Sequence, residues 1–276
     1  MWFLPSKGRP KSCQMVLDAM VDCGCIGAGV VYANEDDAQL PDYYALRLPH
    51  GWTVATVGPG VIGLAEKVRQ SFRDYPDEDW YGLITDDTVP ATFDFESRMI
   101  DAAGKWGIVS TDDGWKANAD VRLGRMTGAA VFGGDLLRAL GFWLPEEFVH
   151  LYVDDVWEFI GRELGVWTVL MDILVTHDHP WKDGREMDAI TGAVNTPEMY
   201  ASGQETYLRW RNNVAFCALY RANSMMMQSM PKLSAVANAI YNANSMPNGH
   251  GLLVVAPMER VTYCRLALAA MKEMAQ

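Results

Sequence analysis

The feature that most constrains this chain is a set of short apolar runs, each ending abruptly on acids or histidines. Trp80-Tyr81-Gly82-Leu83-Ile84 has the near-continuous apolar character of a strand buried on both faces, and it runs without a spacer into Thr85-Asp86-Asp87. Ile26 to Ala33 is a second such run and leads into Glu35-Asp36-Asp37, while Trp52 to Val57 alternates as a third strand. Between these runs the spacing turns helical. Cys13, Val16, Leu17, Met20 and Val21 share one face of a helix that Gly24 ends, and Ile62, Ala65, Val68 and Phe72 share a face of a helix from Gly60 to Tyr75. With the apolar Phe3-Leu4 at the start, this rhythm predicts an open α/β sheet with a nucleotide crevice at its strand ends.

The same reading continues through Gly107 to Ser110 and Ala129 to Phe132 as strands, and Gly134 to Leu140 as a helix. A helix carrying Val153, Val156, Trp157, Ile160 and Leu164 follows, and then a strand from Trp167 to Thr176 that runs into His177-Asp178-His179-Pro180. Beyond about Trp210 the chain becomes rich in Met, Ala and Asn. Helices over residues 214–230 and 261–274 are expected, with a turn at Pro247-Asn248-Gly249-His250-Gly251 and a short strand from Leu252 to Ala256. We therefore expect an α/β domain over residues 1–210 and a mostly helical extension over 211–276. A chain of 276 residues, half of them hydrophobic, can bury the core this requires.

Charge narrows the partners without naming them. The net charge is −12, yet the stretch after Glu205 carries more Lys and Arg than Asp and Glu. An acidic body opposes non-specific binding to a polyanion, and a mildly basic end with Arg209, Trp210 and Arg211 adjacent suits nucleic-acid contact. The five cysteines (Cys13, Cys23, Cys25, Cys217, Cys264) form no paired framework, and no second cysteine pair completes a zinc site with Cys23-Gly24-Cys25. No apolar run reaches the roughly 18 residues of a membrane span. A cytoplasmic protein without a membrane partner is the expectation.

Three clusters carry chemistry. Asp86 and Asp87 stand beyond a strand end, where carboxylates can hold a divalent cation against a diphosphate, although a bare Asp-Asp is also ordinary turn chemistry. His177 and His179 flank an acid at another strand end and supply imidazole, a good ligand for manganese or zinc. Asp154 and Asp155 open a helix, where one can cap the N-terminus and the other can take a proton from an acceptor hydroxyl. We favour Asp154 as the base and Asp155 as the cap or an acceptor ligand. The loop Ser6-Lys7-Gly8-Arg9-Pro10 precedes a helix and offers backbone N–H groups and Arg9 to a nucleotide.

In order, Leu4-Pro5-Ser6-Lys7-Gly8-Arg9-Pro10, Thr85-Asp86-Asp87-Thr88-Val89-Pro90, His150-Leu151-Tyr152-Val153-Asp154-Asp155-Val156-Trp157 and His177-Asp178-His179-Pro180 resemble the motifs of GT-A glycosyltransferases, particularly the short versions encoded by bacteriophages. The resemblance spans about residues 2–210 and departs from the family in having Asp86-Asp87 where Asp-x-Asp is usual. It implies a Rossmann-like mixed sheet flanked by helices. It also implies nucleotide-sugar contacts from Pro5, Ser6, Arg9, Asp36, Asp37 and Asp86, a metal held by Asp87 with His177 or His179, and a base in the Asp154-Asp155 pair. The cofactor expected is Mn2+, with Mg2+ as the alternative, and the donor is a nucleoside diphosphate-sugar, UDP-linked first. A phage relative would take a hydroxymethylated base such as 5-hydroxymethylcytosine in duplex DNA as acceptor. The other readings are a glycan or protein acceptor, a nucleotidyltransferase that releases pyrophosphate, and a catalytically silent binding or virion protein.

Overall fold

The computed structural model describes residues 1–114, 129–178, 186 and 188–230. His179, Cys264 and the elements expected within 247–274 lie outside the described residues. Eight strands form one sheet in the order β3-β2-β1-β4-β7-β6-β8-β5. The strands are β1 (Trp2–Pro5), β2 (Gly29–Asn34), β3 (Trp52–Val57), β4 (Trp80–Ile84), β5 (Thr88–Pro90), β6 (Ile108–Asp112), β7 (Ala129–Gly133) and β8 (Trp167–His177). β1, β2, β3 and β4 run parallel, β7 is antiparallel to both β4 and β6, and β8 is parallel to β6.

The helices are α1 (Pro10–Asp22), α2 (Leu40–Tyr44), α3 (Ala65–Asp74), α4 (Phe95–Ala103), α5 (Gly134–Leu140), α6 (Val153–Leu164), α7 (Ala189–Val194), α8 (Pro197–Asn213) and α9 (Ala215–Ser229). α1 starts with a proline at its first position, where the missing N–H costs nothing. α3 starts later than the expected Gly60. Gly60 and Gly63 sit at φ 75° and 74°, a left-handed backbone that no helix accommodates, so the apolar Ile62 is left exposed ahead of the helix.

Strand alternation sorts the core onto two faces. Phe3, Tyr32, Tyr81, Leu83, Ile108 and Phe132 pack with α3, α5, α6 and α9, while Trp2, Leu4, Val31, Ile84, Val109 and Val131 pack with α1 and α4. The C-terminal helices belong to the first of these layers. Trp210 of α8 is 1% exposed among Phe148, Phe159 and Tyr207, and Ala215, Leu219, Ala222 and Met226 of α9 are buried in the same cluster. The expected boundary after residue 210 thus falls inside α8. Trp210 is closed to a stacking base, which corrects its part in the expected nucleic-acid contact, while Arg209 and Arg211 on either side of it are exposed. Its neighbour Arg211 places its guanidinium over the Phe159 ring, 5.0 Å from the centroid. Arg221 donates to the carbonyls of Ala139 and Leu140, so a cation tethers α9 to the negative end of α5.

The start of the sheet is pinned by one buried carboxylate. Glu96, in the first turn of α4, accepts from the Trp2 indole N–H at 2.7 Å, the Cys25 thiol at 3.0 Å, and the backbone N–H groups of Ile26 and Gly27 at 2.9 and 3.1 Å. The same indole lies flat against Gly82, where an added Cβ would come within 2.3 Å of the ring. Glu96→Ala leaves an indole and two amides unsatisfied, so urea denaturation should show a loss of about 3 kcal/mol. Glu96→Gln, which keeps one acceptor oxygen, should lose roughly half as much by the same reasoning.

Candidate active site

The sheet order creates the site before any side chain is considered. The chain steps from β1 to β2 to β3 in one direction, and α3 then returns it to β4 on the other side of β1. Strand order therefore reverses between β1 and β4, and a crevice opens beyond their carboxyl ends. Ser6 stands at the end of β1, Asp36 and Asp37 beyond β2, and Asp86 and Asp87 beyond β4.

Across this reversal the two strand ends are joined by hydrogen bonds. Ser6 Oγ donates to Asp86 Oδ2 at 2.5 Å and accepts from the Tyr43 hydroxyl at 2.6 Å; the Tyr43 oxygen in turn accepts the Arg9 backbone N–H at 3.0 Å. Arg9 Nη1 reaches Asp86 Oδ1 at 3.4 Å, and its Nη2 donates to Asp188 at 2.6 and 2.7 Å and also to Thr191 Oγ1. Asp37 Oδ2 accepts the Gly8 N–H at 2.6 Å, and the more exposed Asp36 accepts the Gly60 N–H at 2.9 Å. Pro5 is the last residue of β1, paired in register with Tyr32. Beneath the loop, Lys67 is only 3% exposed and donates to the Ser6 carbonyl at 2.6 Å. Burial lowers its ammonium to about 8, against the opposing pull of Asp86.

The adjacent aspartates occupy different environments. Asp86 is 6% exposed, and desolvation, followed by the neighbouring Asp87 charge, raises its carboxyl to about 6. Asp87 is driven the other way, to about 2: its burial is outweighed by hydrogen bonding and charge from His177 and by the Thr85 hydroxyl, which donates to Oδ1 at 2.6 Å. The side chains of Asp87 and His177 retain 29% and 27% exposure, so this pair faces the crevice.

His177 reaches Asp87 because β5 folds back on the end of β8. Thr88, the residue after Asp87, lies opposite His177 in the antiparallel register. The result is His177 Nε2 3.3 Å from Asp87 Oδ2, reinforced by the Asp178 N–H donating to the Asp87 carbonyl at 2.6 Å. These atoms fit a divalent cation as one carboxylate oxygen and one imidazole nitrogen. No group of three His, Cys, Asp or Glu ligands occurs among the described residues.

Asp154 and Asp155 are the second and third residues of α6, both half-buried. Tyr152 occupies the N-cap at φ 65°, correcting the reading of Asp155 as the cap. Its ring stacks on Tyr207 at 6.0 Å and packs against Gly203, which holds this unfavourable backbone in place. Tyr200 of α8 lies close enough to feel the Asp154 charge. Sequence reasoning missed Tyr43, Lys67 and Asp188, and placed His150 in a motif without giving it a role. Only Lys67 left a local trace, as a lysine on the face of α3 that also buries Ser71.

Because Asp86 is raised in the folded state, its carboxyl binds a proton there between pH 4 and 6 that the unfolded chain has released. Its contribution to stability is full below pH 4 and is lost as pH rises through about 6. Urea titrations of the metal-free protein should show wild type losing about 2 kcal/mol relative to Asp86→Asn across that window.

No protein-family profile and no curated protein sequence matches the chain. Solved structures do. The mannosyltransferase PcManGT from Pyrobaculum calidifontis, solved with GDP-Man and Mn2+, is similar over 100% of this chain and 87% of its own, with 14% identity and a TM-score of 0.51. Glucosyl-3-phosphoglycerate synthase from Mycobacterium tuberculosis, solved with Mn2+, UDP and glucosyl-3-phosphoglycerate, is similar over 74% of this chain and 78% of its own, with 14% identity and a TM-score of 0.50. The sheet, its flanking helices and the helices that follow give this chain the GT-A fold.

Proposed function

We propose that the protein is a metal-dependent glycosyltransferase that moves a sugar from a nucleoside diphosphate-sugar to a hydroxyl acceptor. The observation that carries this reading is the Asp87–His177 pair, 3.3 Å apart at the mouth of the crevice between β1 and β4. The solved neighbours support it, being transferases bound to Mn2+ with GDP-Man or UDP.

Asp87 and His177 would hold the cation, Mn2+ by this reading, and the cation supplies the positive charge that a leaving diphosphate needs. The nucleoside lies along Ser6, Arg9 and the acids beyond β2, with Asp86 holding Ser6 and Arg9 in place. Asp154 takes the acceptor hydroxyl proton as that oxygen forms its bond to the anomeric carbon. The bond from the anomeric carbon to the diphosphate breaks, and the electron pair leaves with the nucleoside diphosphate. The positive end of α6 favours a carboxylate at Asp154 before the proton arrives.

A panel of UDP- and GDP-sugars with Mn2+, offered glycan, protein and hydroxymethylcytosine-duplex acceptors, tests this directly. Nucleoside diphosphate release is expected, with Asp87→Ala and Asp154→Asn each slowing turnover by about 100-fold or more. Release of pyrophosphate instead, or an Asp87→Ala variant as active as wild type, overturns the reading.

A further inference from the structure

His150 is absorbed by none of the roles above, yet it stands four residues before Asp154 on the segment that enters α6. Its Nδ1 accepts the backbone N–H of Leu64 at 3.3 Å, and the preceding carbonyl, of Val149, accepts that of Ala65 at 3.2 Å. Together they satisfy two otherwise orphaned donors at the start of α3. Accepting at Nδ1 requires a lone pair there, so the ring is neutral and its proton is on Nε2.

The Nδ1 edge is closed. Gly63, at φ 74°, lies so near that an added Cβ would come within 2.7 Å of His150 Cβ and 2.9 Å of Nδ1. The far edge bearing Nε2–H makes no hydrogen bond to any described residue. The imidazole is in electrostatic reach of both Asp87 and Lys67. The segment it packs on is itself tied to the strand ends, because the Val61 carbonyl accepts from Lys7 Nζ at 3.3 Å and Asn34 Nδ2 at 2.9 Å, and Lys67 reaches the Ser6 carbonyl. The ring therefore borders the crevice beyond β1 and β2, and the chain leads from it into the helix carrying the candidate base. Along a bound nucleotide-sugar, the group between the metal acid and the base is the outer phosphate of the diphosphate. A neutral N–H suits that position: it donates to a phosphate oxygen without competing with the cation for Asp87.

We propose that His150 donates its Nε2–H to a β-phosphate oxygen of the nucleotide-sugar and of the departing nucleoside diphosphate. The inference rests on the glycosyltransferase reading and adds a residue to its donor site.

Asn and Gln separate this from a structural role. Asparagine places an acceptor where Nδ1 meets Leu64 but has no donor at the Nε2 position, whereas the glutamine amide N–H2 reaches that position. Binding of UDP, with GDP in parallel, is measured with Mn2+ by titration calorimetry, and UMP and GMP serve as probes without a β-phosphate. His150→Asn should weaken diphosphate binding about tenfold and leave monophosphate binding within about twofold, and His150→Gln should recover to within about threefold of wild type. Unchanged diphosphate affinity in His150→Asn overturns the proposal. So does an equal loss of mono- and diphosphate affinity with a lowered melting temperature, which would mark His150 as a cap for α3 alone. Wild-type protein that binds neither UDP nor GDP overturns the glycosyltransferase reading itself.

Discussion

The hydrogen bond from Ser6 to Asp86 closes the one gap that the sheet topology leaves open. β1 and β4 diverge in connectivity at that point, and nothing in the backbone ladder ties the loops beyond their ends. A 2.5 Å bond between the first residue past β1 and the second past β4 does so, and Tyr43, Arg9 and Lys67 each attach to it. Its cost is a carboxylate almost out of water, offset by donors on both oxygens. Because Asp86 takes this duty, Asp87 is left at the crevice surface and remains ionised. One dipeptide thus supplies an anchor and, in the proposed function, a metal ligand, separated by burial and by the donors that each carboxylate meets.

The second constraint is the return of β5 along the end of β8. A three-residue strand is energetically slight, yet its register sets His177 opposite Thr88 and so within reach of Asp87. A slip of one residue would turn the ring to the other face of the sheet. The candidate site is accordingly built from separate pieces of chain, at the ends of β1, β2, β4 and β8 and the start of α6, rather than from a self-contained motif. The C-terminal helices join the same core and bring Tyr200 and Gly203 against the start of α6, so the region beyond the acids of the sheet shapes the surroundings of Asp154.

Much of this was legible before the structure. Strands announce themselves by apolar runs or by alternation, which is why β2, β3, β4, β7 and β8 were read close to their final bounds. β5 and α2 were illegible because three or five residues hold no periodicity. α3 was read too long because Ile62 continues the apolar spacing of Ala65, Val68 and Phe72, and the left-handed backbone at Gly60 and Gly63 leaves no mark in that spacing. Trp210 was misread since an aromatic between two arginines looks the same in sequence whether it faces solvent or the core.

What the sequence determined by itself was the set of strand-end acids and the α/β rhythm, because both are local: a strand end and its next two residues are written consecutively. Only the tertiary structure decided that Asp86 turns inward and Asp87 outward, that His177 meets Asp87 across the β5–β8 register, and that Lys67 and His150 close on the same crevice. Those outcomes depend on distances between residues far apart in the chain, and on which of two neighbouring carboxylates loses its water, neither of which leaves a mark in local spacing.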